Sequence, residues 1–257
     1  MTAAPYLRLQ DVGMRFDQDV IALESIDLSI AEHQFITIVG PSGCGKSTLL
    51  YLVGGFLRPT SGALTLRGAA ITGPGADRGI VFQRYSLFPW LTVRRNISYG
   101  LEESGVPRAD RERIVAEHIR LVHLEGFEDR YPRELSGGMQ QRVALAQMLV
   151  CQPDILLMDE PFGALDAQTR RILQDEVRRL WLRDTKTVLF VTHDVEEAVA
   201  LGTQIVVMSK RPGRIKEVIL RDFDVADGDE FEANPRFTEL KMRIWHSIKE
   251  EVEAMRR

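Results

Sequence analysis

Cysteine is scarce in this sequence: Cys44 and Cys151 are the only two among 257 residues. Two cysteines are too few for a disulfide framework or for a cysteine-ligated metal site, so both classes of protein are excluded. Long apolar runs are also missing, because no stretch approaches the roughly 20 uninterrupted apolar residues that a membrane-spanning helix needs. The first residues lack the basic and apolar regions of a signal peptide, and we therefore expect the chain to stay in the cytosol.

The sequence also lacks a strong excess of charge of either sign. Its 33 basic and 37 acidic residues leave a net charge of −4, which gives no global attraction to nucleic acid or anionic lipid. We therefore expect no nucleic-acid partner, and any membrane association must come through a protein partner. The hydrophobic content of 44% is sufficient to bury a substantial core, as one domain with or without a subdomain.

Short β-rich runs fill the first third of the chain, and strands alternate with helices after Pro153. This alternation indicates right-handed crossovers and a parallel sheet. The predicted strands are Tyr6–Val12, Ile21–Ile30, Phe35–Val39, Ala63–Leu66, Gly79–Phe82, Ile155–Met158, Thr187–Val191 and Gln204–Met208. The predicted helices are Ala109–Val122, Gln140–Val150, Ala167–Leu182 and Val195–Ala200.

The last part of the chain predicts a linker and a helix. The segment Asp222–Glu232 carries six acidic residues and no basic one, which is typical of a solvated connection. After Pro235, apolar residues recur at helical spacing and predict an amphipathic helix, which more often packs on its own core than binds a partner. Its apolar face is predicted to contain Phe237, Leu240, Ile244, Trp245, Ile248 and Val252.

A phosphate-binding loop follows the apolar, β-branched run Phe35–Val39. The loop has the spacing G-x-x-x-x-G-K-[ST], in which glycines let backbone amides turn toward a phosphate and the next helix directs its N-terminus at the anion. Lys46 is predicted to reach the β/γ-phosphate oxygens, and the Ser47 hydroxyl to ligate Mg²⁺. The predicted nucleotide-binding residues of the loop are Gly40, Pro41, Ser42, Gly43, Cys44, Gly45, Lys46, Ser47 and Thr48.

Two acids end a second apolar run, Ile155–Met158. Asp159 is predicted to hold the metal directly or through water. Glu160 is then placed to polarise the attacking water as general base. The alternative, a strand end with ordinary surface acids, loses weight beside a complete phosphate loop.

Gln83 and His193 complete the predicted catalytic set with Lys46 and Glu160. Gln83 ends the run Gly79–Phe82, where its amide can reach metal and water while remaining mobile. His193 follows the run Thr187–Val191, so its imidazole should emerge at the carboxyl edge of the sheet, contact the γ-phosphate and help hold the water.

These motifs together resemble the ATP-binding subunit of ATP-binding cassette (ABC) transporters over residues 6 to about 220. The ordered set is GPSGCGKST, Gln83 in VFQ, LSGGMQQR at residues 135–142, ILLMDEP, Asp166 after Ala164-Leu165, and His193 in VTHD. Finer features resemble the nitrate/sulfonate/taurine branch of importers, namely YSLFPWLTV at 85–93, FGALDAQTR at 162–170 and RPGRI at 211–215. One departure is Gln147-Met148-Leu149, where the family usually has Arg-Ala-Leu.

The resemblance implies an ABC ATPase fold: an α/β protein with a P-loop NTPase core and parallel sheet, an N-terminal antiparallel β subdomain and a helical subdomain. We expect the ATPase domain to span residues 1–221, with its helical part at about 90–150, and the linker and C-terminal helix to span 222–257. Phe16 is implied as the aromatic on which adenine stacks, and packing is the alternative role for this ring.

The resemblance also implies that two copies close head to tail around ATP and Mg²⁺. Each nucleotide is then held between Lys46 of one copy and the LSGG element of the other, and Asp166 lies at the dimer seam. The residues implied in contacts across that seam are Ser136, Gly137, Gly138, Gln140 and Asp166; the implied metal-binding residues are Ser47, Gln83 and Asp159.

Family members contact their membrane permease between the glutamine and the LSGG element. Here the region Gln83–Trp90 brings Tyr85, Leu87, Phe88, Pro89 and Trp90 together, and a groove lined by them is predicted to receive a short helix of the permease. A local hydrophobic mini-core is the alternative, and both can be true. The implied protein is therefore an import motor, peripheral on the cytoplasmic face of the membrane and supplied with solute by a separate binding protein. Other readings are a soluble ABC ATPase without a transport role and a small-molecule phosphotransferase.

Overall fold

The computed structural model describes residues 5–16, 20–83, 86–163, 165–184, 186–223 and 234–255. Its elements are β1 (Leu7–Arg15), β2 (Ile21–Ile30), β3 (Phe35–Val39), α1 (Lys46–Val53), β4 (Ser61–Leu66), β5 (Ala69–Ala70), β6 (Arg78–Val81), α2 (Val93–Glu103), α3 (Arg108–Leu121), α4 (Gly137–Leu149), β7 (Ile155–Asp159), α5 (Ala167–Asp184), β8 (Thr187–Val191), α6 (Val195–Leu201), β9 (Gln204–Met208), β10 (Ile215–Leu220) and α7 (Pro235–Met255). A short 3₁₀ helix, Pro132–Glu134, precedes α4.

The chain divides into two compact units. The first contains residues 1–75 and 180–257, and the second contains residues 76–179. In the first unit β3 pairs in parallel with both β8 and β9, while β10 pairs antiparallel with β9. The same unit holds an antiparallel sheet in the order β2-β1-β4-β5. Strands β3, β8 and β9 are buried along their whole length, as expected for parallel strands covered on both faces.

Helix α7 packs on the first unit through one apolar face. Phe237, Leu240 and Ile244 are buried in a cluster with residues of α6 and β9, and Ile248 packs partly against it. Ion pairs flank the contact: Lys216 lies 2.8 Å from Glu250, and Lys241 lies 2.9 Å from Glu196.

The second unit contains the parallel pair β6 and β7 and the helices α2, α3 and α4. These helices share an apolar cluster of Val93, Ile97, Leu101, Val115, Ile119, Val122, Leu124, Leu135, Val143, Ala146 and Val150. Among the described residues, no helix combines the length and the apolar composition needed to cross a bilayer.

The predicted strands Ile21–Ile30, Phe35–Val39, Thr187–Val191 and Gln204–Met208 are confirmed to the residue. The helix predicted from Gln140 was wrong at its start, because Ser136 caps the helix and α4 begins at Gly137. Strand β10 was missed, since only Ile219 among its residues is buried. The predicted face of the C-terminal helix was too wide: Trp245 is 47% exposed, because it lies one residue beyond Ile244 and so about 100° further round the helix. Most of the predicted acidic linker lies outside the described residues.

The packing of α7 generates a stability prediction. Ile244→Ala removes a fully buried side chain and should lower the free energy of unfolding by about 2–5 kcal/mol. Met242→Ala, on the exposed side of the same helix, should change it by less than about 0.5 kcal/mol. Urea unfolding of both variants measures the difference. Equal unfolding midpoints for the two variants would contradict the assignment of α7 to the core.

Candidate functional site: a phosphate loop and an acidic strand end

The phosphate loop lies in the first unit, between β3 and α1. Gly43 and Gly45 both have left-handed backbone conformations, with φ of 75° and 105°. At Gly45 a Cβ atom would lie 2.6 Å from Leu23 Cδ2 and 3.0 Å from the Ala22 carbonyl oxygen. Only glycine fits there, and the turn it permits lets α1 begin directly at Lys46.

Lys46 is buried inside this loop, with 6% of its surface exposed. Its ammonium donates to the carbonyl oxygens of Gly40 at 2.9 Å and Pro41 at 3.1 Å. The loop thus holds a buried cation with neutral acceptors, and the oxygens of an anionic phosphate would be stronger acceptors for the same protons. Ser47 and Thr48 follow, half-buried in the first turn of α1.

Cys44 packs inside the loop. Its thiol is buried, and burial raises the pKa of Cys44 although the charge of Lys46 acts in the opposite direction. A neutral, buried thiol is inert, so Cys44 contributes packing and its backbone to the loop.

His193 and Phe16 are also in the first unit. His193 is exposed and lies two residues beyond the end of the buried strand β8. Phe16 follows β1 and is 50% exposed.

The acidic pair lies in the second unit, at the end of β7. Asp159 is 1% exposed, whereas Glu160 is half-buried and has a left-handed φ of 46°. That conformation costs a non-glycine residue about 1–3 kcal/mol. Gln83 Nε2 donates to Glu160 Oε2 at 3.1 Å, so the structure joins two of the predicted catalytic residues.

The LSGG element, also in the second unit, forms the start of α4. Ser136 is the N-cap, and its hydroxyl accepts from the Met139 backbone N–H at 3.3 Å. Gln140 was predicted to contact nucleotide, but its side-chain nitrogen donates to the carbonyl oxygens of Pro132 at 3.0 Å and Leu135 at 3.2 Å. In this conformation the Gln140 side chain holds the backbone of Pro132 and Leu135, just before α4.

Two further side chains fix the surroundings of the element. The guanidinium of Arg142 donates to the carbonyl oxygens of Val122 and His123 at 3.1 and 2.9 Å, which ties α4 to the C-terminal end of α3. No local sequence pattern indicates this role of Arg142. Asp166 caps α5: the Thr169 backbone N–H donates to Asp166 Oδ1 at 2.9 Å, and this bond lowers the pKa of the Asp166 carboxyl.

Hydrogen bonds with the side chain of Asn96 hold the aromatic segment that follows Gln83. This buried side chain accepts from the Phe88 N–H at 2.8 Å and donates to the carbonyl oxygens of Phe88 and Leu91 at 3.2 and 2.9 Å. Phe88 contacts Trp90, whose ring remains 70% exposed, while Leu87 packs partly on the helical cluster. The packing of Leu87 agrees with the predicted mini-core. Tyr85 lies outside the described residues.

Comparison with known proteins identifies the protein family to which this set of loops belongs. The family model described as ABC transporter matches residues 23–163, more than half of the 257 residues. The chain belongs to the ABC transporter family. This cassette is 51% identical over 234 residues to an uncharacterised ABC transporter ATP-binding protein of Methanocaldococcus jannaschii, a match that covers 91% of this chain and 86% of the relative.

Other relatives and structures agree. The taurine import ATP-binding protein TauB of Rhizobium johnstonii is 47% identical over 235 residues, covering 90% of each chain. The solved ATP-binding cassette MJ0796, in a dimeric post-hydrolysis state bound to ADP and Pi, has a TM-score of 0.76 and 32% identity, with 84% of this chain and 100% of that chain covered. The predicted α/β ABC ATPase fold is confirmed. The cassette is an ATP hydrolase.

The loop geometry predicts unequal effects of two glycine substitutions. Gly45→Ala should destabilise the nucleotide-free protein more than Gly43→Ala, because both place alanine at a left-handed φ but only at Gly45 does the new Cβ meet other atoms. At Gly43 no atom lies within 4 Å of the added Cβ. Thermal unfolding without nucleotide measures the comparison. An unfolding temperature for Gly45→Ala at or above that of Gly43→Ala would contradict the described loop.

Proposed function

We propose that this cassette is the ATP-hydrolysing subunit of an importer that couples Mg-ATP binding, dimer closure and hydrolysis to solute uptake through a separate membrane permease. The proposed solute is a small anion such as nitrate, a sulfonate or taurine. The observation that carries the proposal is the similarity to taurine import ATP-binding proteins. Three of them are 44–47% identical over 90–96% of this chain.

ATP binding is assigned to the phosphate loop. The buried ammonium of Lys46 would exchange the carbonyl oxygens of Gly40 and Pro41 for β/γ-phosphate oxygens, and the loop amides would surround the β-phosphate. Phe16 supplies the exposed ring for adenine. His193 would contact the γ-phosphate and help hold the attacking water.

The predicted metal-binding residues fit Mg²⁺. Ser47, Asp159 and Gln83 offer hydroxyl, carboxylate and amide oxygens, the hard donors that this ion prefers, and the Gln83 oxygen is not used in its bond to Glu160. The chemistry that Mg²⁺ would supply there is neutralisation of the negative charge that develops on the phosphate oxygens.

Glu160 is proposed to accept the proton of the attacking water. Its carboxylate oxygen accepts a hydrogen bond from Gln83, so one lone pair of the proposed base is occupied. Movement of the exposed Gln83 would release that oxygen for the water, and Gln83 therefore links the base to the segment that follows it.

The LSGG element is proposed to serve the nucleotide of a second copy. Ser136, Gly137, Gly138 and the N-terminus of α4 present a hydroxyl, close backbone access and the positive end of a helix dipole, a combination that suits a γ-phosphate. Asp166 and Gln140 would act beside them at the dimer seam. The homodimer is favoured because one chain carries one complete set of motifs.

The permease is proposed to bind the exposed aromatic segment from Gln83 to Trp90. Hydrogen bonds from Asn96 hold Phe88 and Leu91 in place, so the ring of Trp90 is presented on a fixed support. The cassette would then lie on the cytoplasmic face of the membrane and meet the solute-binding protein only indirectly. Another solute of the same branch is one alternative. A soluble role without a permease is the other, and the copurification experiment below separates it from the proposal.

Glu160→Gln should trap an ATP-bound dimer. The amide cannot accept the proton of the water, so kcat for ATP hydrolysis should fall by about 10²–10⁴-fold while nucleotide binding persists. Size-exclusion chromatography with ATP should then show a dimer, and adding Lys46→Ala to the same variant should return it to a monomer. A Glu160→Gln protein that stays monomeric in saturating ATP, while the wild type transfers phosphate to a metabolite, would favour the phosphotransferase reading.

Two exposed tryptophans give a matched test of the permease surface. Trp90→Ala should abolish copurification of the cassette with its permease and leave the ATPase activity of the isolated cassette unchanged, because the 70% exposed ring supports no core. Trp245→Ala, on α7 and 47% exposed, should leave copurification intact. Capture of the permease by both variants at wild-type levels would remove the segment Gln83–Trp90 from the proposed interface.

A further inference from the structure

The loop that carries His193 is closed by a contact between two buried side chains, which are five residues apart in the chain. The hydroxyl of Thr192 donates to the carboxylate of Glu197, and both residues are buried, with 2% and 6% of their surfaces exposed. The same hydroxyl accepts from the Asp194 backbone N–H at 3.0 Å. The Thr192 hydroxyl is therefore bonded across His193 to the residue that follows it.

The other end of the loop is fixed by the start of α6. Asp194 Oδ1 accepts from the backbone N–H groups of Glu196 at 2.8 Å and Glu197 at 3.3 Å. The Thr192 backbone N–H donates to the Ile38 carbonyl oxygen at 3.1 Å, and Ile38 lies on β3 two residues before Gly40. His193 thus projects, exposed, from a loop that is bonded to the strand leading into the phosphate loop.

Support of a helix start does not require a buried carboxylate. Burying a charged group carries a desolvation cost that an apolar residue avoids, and Asp194 already caps α6. Glu197 adds a fixed acceptor that sets the direction of the Thr192 hydroxyl. Because the same hydroxyl accepts from the Asp194 N–H, Glu197 also fixes, through Thr192, the backbone on both sides of His193.

We propose that Glu197, acting through Thr192, is a positioning residue that holds His193 in the orientation needed for hydrolysis. The inference rests on the proposed contact of His193 with the γ-phosphate and water. It predicts that loss of the Thr192–Glu197 contact slows the chemical step and leaves ATP binding unchanged, because the phosphate loop that binds ATP keeps its own contacts.

The test is a double-mutant cycle on ATP hydrolysis by the full chain. Glu197→Ala and Thr192→Val should each lower kcat by roughly 10- to 100-fold, with little change in KM, because small misplacement of a reacting group has effects of that order. Thr192→Ser keeps the hydroxyl and should recover most of the lost rate. Glu196→Ala is the control: it removes a carboxylate from the same helix that pairs with Lys241 rather than with Thr192, and kcat should not change.

The decisive arm repeats both variants in a His193→Ala background. If Glu197 acts through His193, Glu197→Ala and Thr192→Val should produce no further loss of kcat there. An equal fold-loss in both backgrounds, or a wild-type kcat for Thr192→Val, would overturn the inference while leaving the role of His193 intact. A wild-type kcat for His193→Ala would instead overturn the proposed role of His193. Should Glu197→Ala fail to fold, the Thr192→Val and Thr192→Ser pair gives the same decision.

Discussion

The burial of β3 is the constraint on which the first unit depends. The strand is covered on both faces and pairs in parallel with β8 on one side and β9 on the other. Parallel pairing brings the carboxyl ends of these strands to one edge, so the phosphate loop and the loop of His193 begin side by side. The bond from the Thr192 N–H to the Ile38 carbonyl oxygen extends that pairing into the loop. Shifting β3 would therefore move the lysine and the histidine together.

In the second unit, a carboxylate at the end of a strand is held in a defined direction. Asp159 is still inside β7 and is buried, while Glu160 leaves the strand through a left-handed turn. Without that turn the chain would continue the alternation of the strand, and successive side chains would point to opposite faces. The bond from Gln83, two residues beyond the end of the neighbouring strand β6, then fixes the carboxylate of Glu160.

Much of the fold and of the candidate site is predictable from sequence because its signals are local. The loop from Gly40 to Ser47 needs its glycines and lysine at fixed spacing, and buried strands such as Phe35–Val39 are continuous apolar runs, so both are visible in a short window. The Gln83–Glu160 bond joins residues 77 positions apart, and no window contains both. The left-handed φ of Glu160 is invisible because glutamate rarely adopts it. Strand β10 escaped notice because it lies at an edge, where exposed residues interrupt the apolar pattern.

The LSGG element is held by hydrogen bonds within its own unit. Ser136, Gln140 and Arg142 all make their bonds within the second unit, and these bonds hold the start of α4 in place. The Ser136 hydroxyl accepts from the Met139 N–H, and a hydroxyl that accepts one bond still has its own proton to donate. For the proposed dimer this means that the second copy would present a preformed donor to the γ-phosphate. Preorganisation of this kind removes the entropic cost of ordering the element when the dimer closes, which favours closure on ATP.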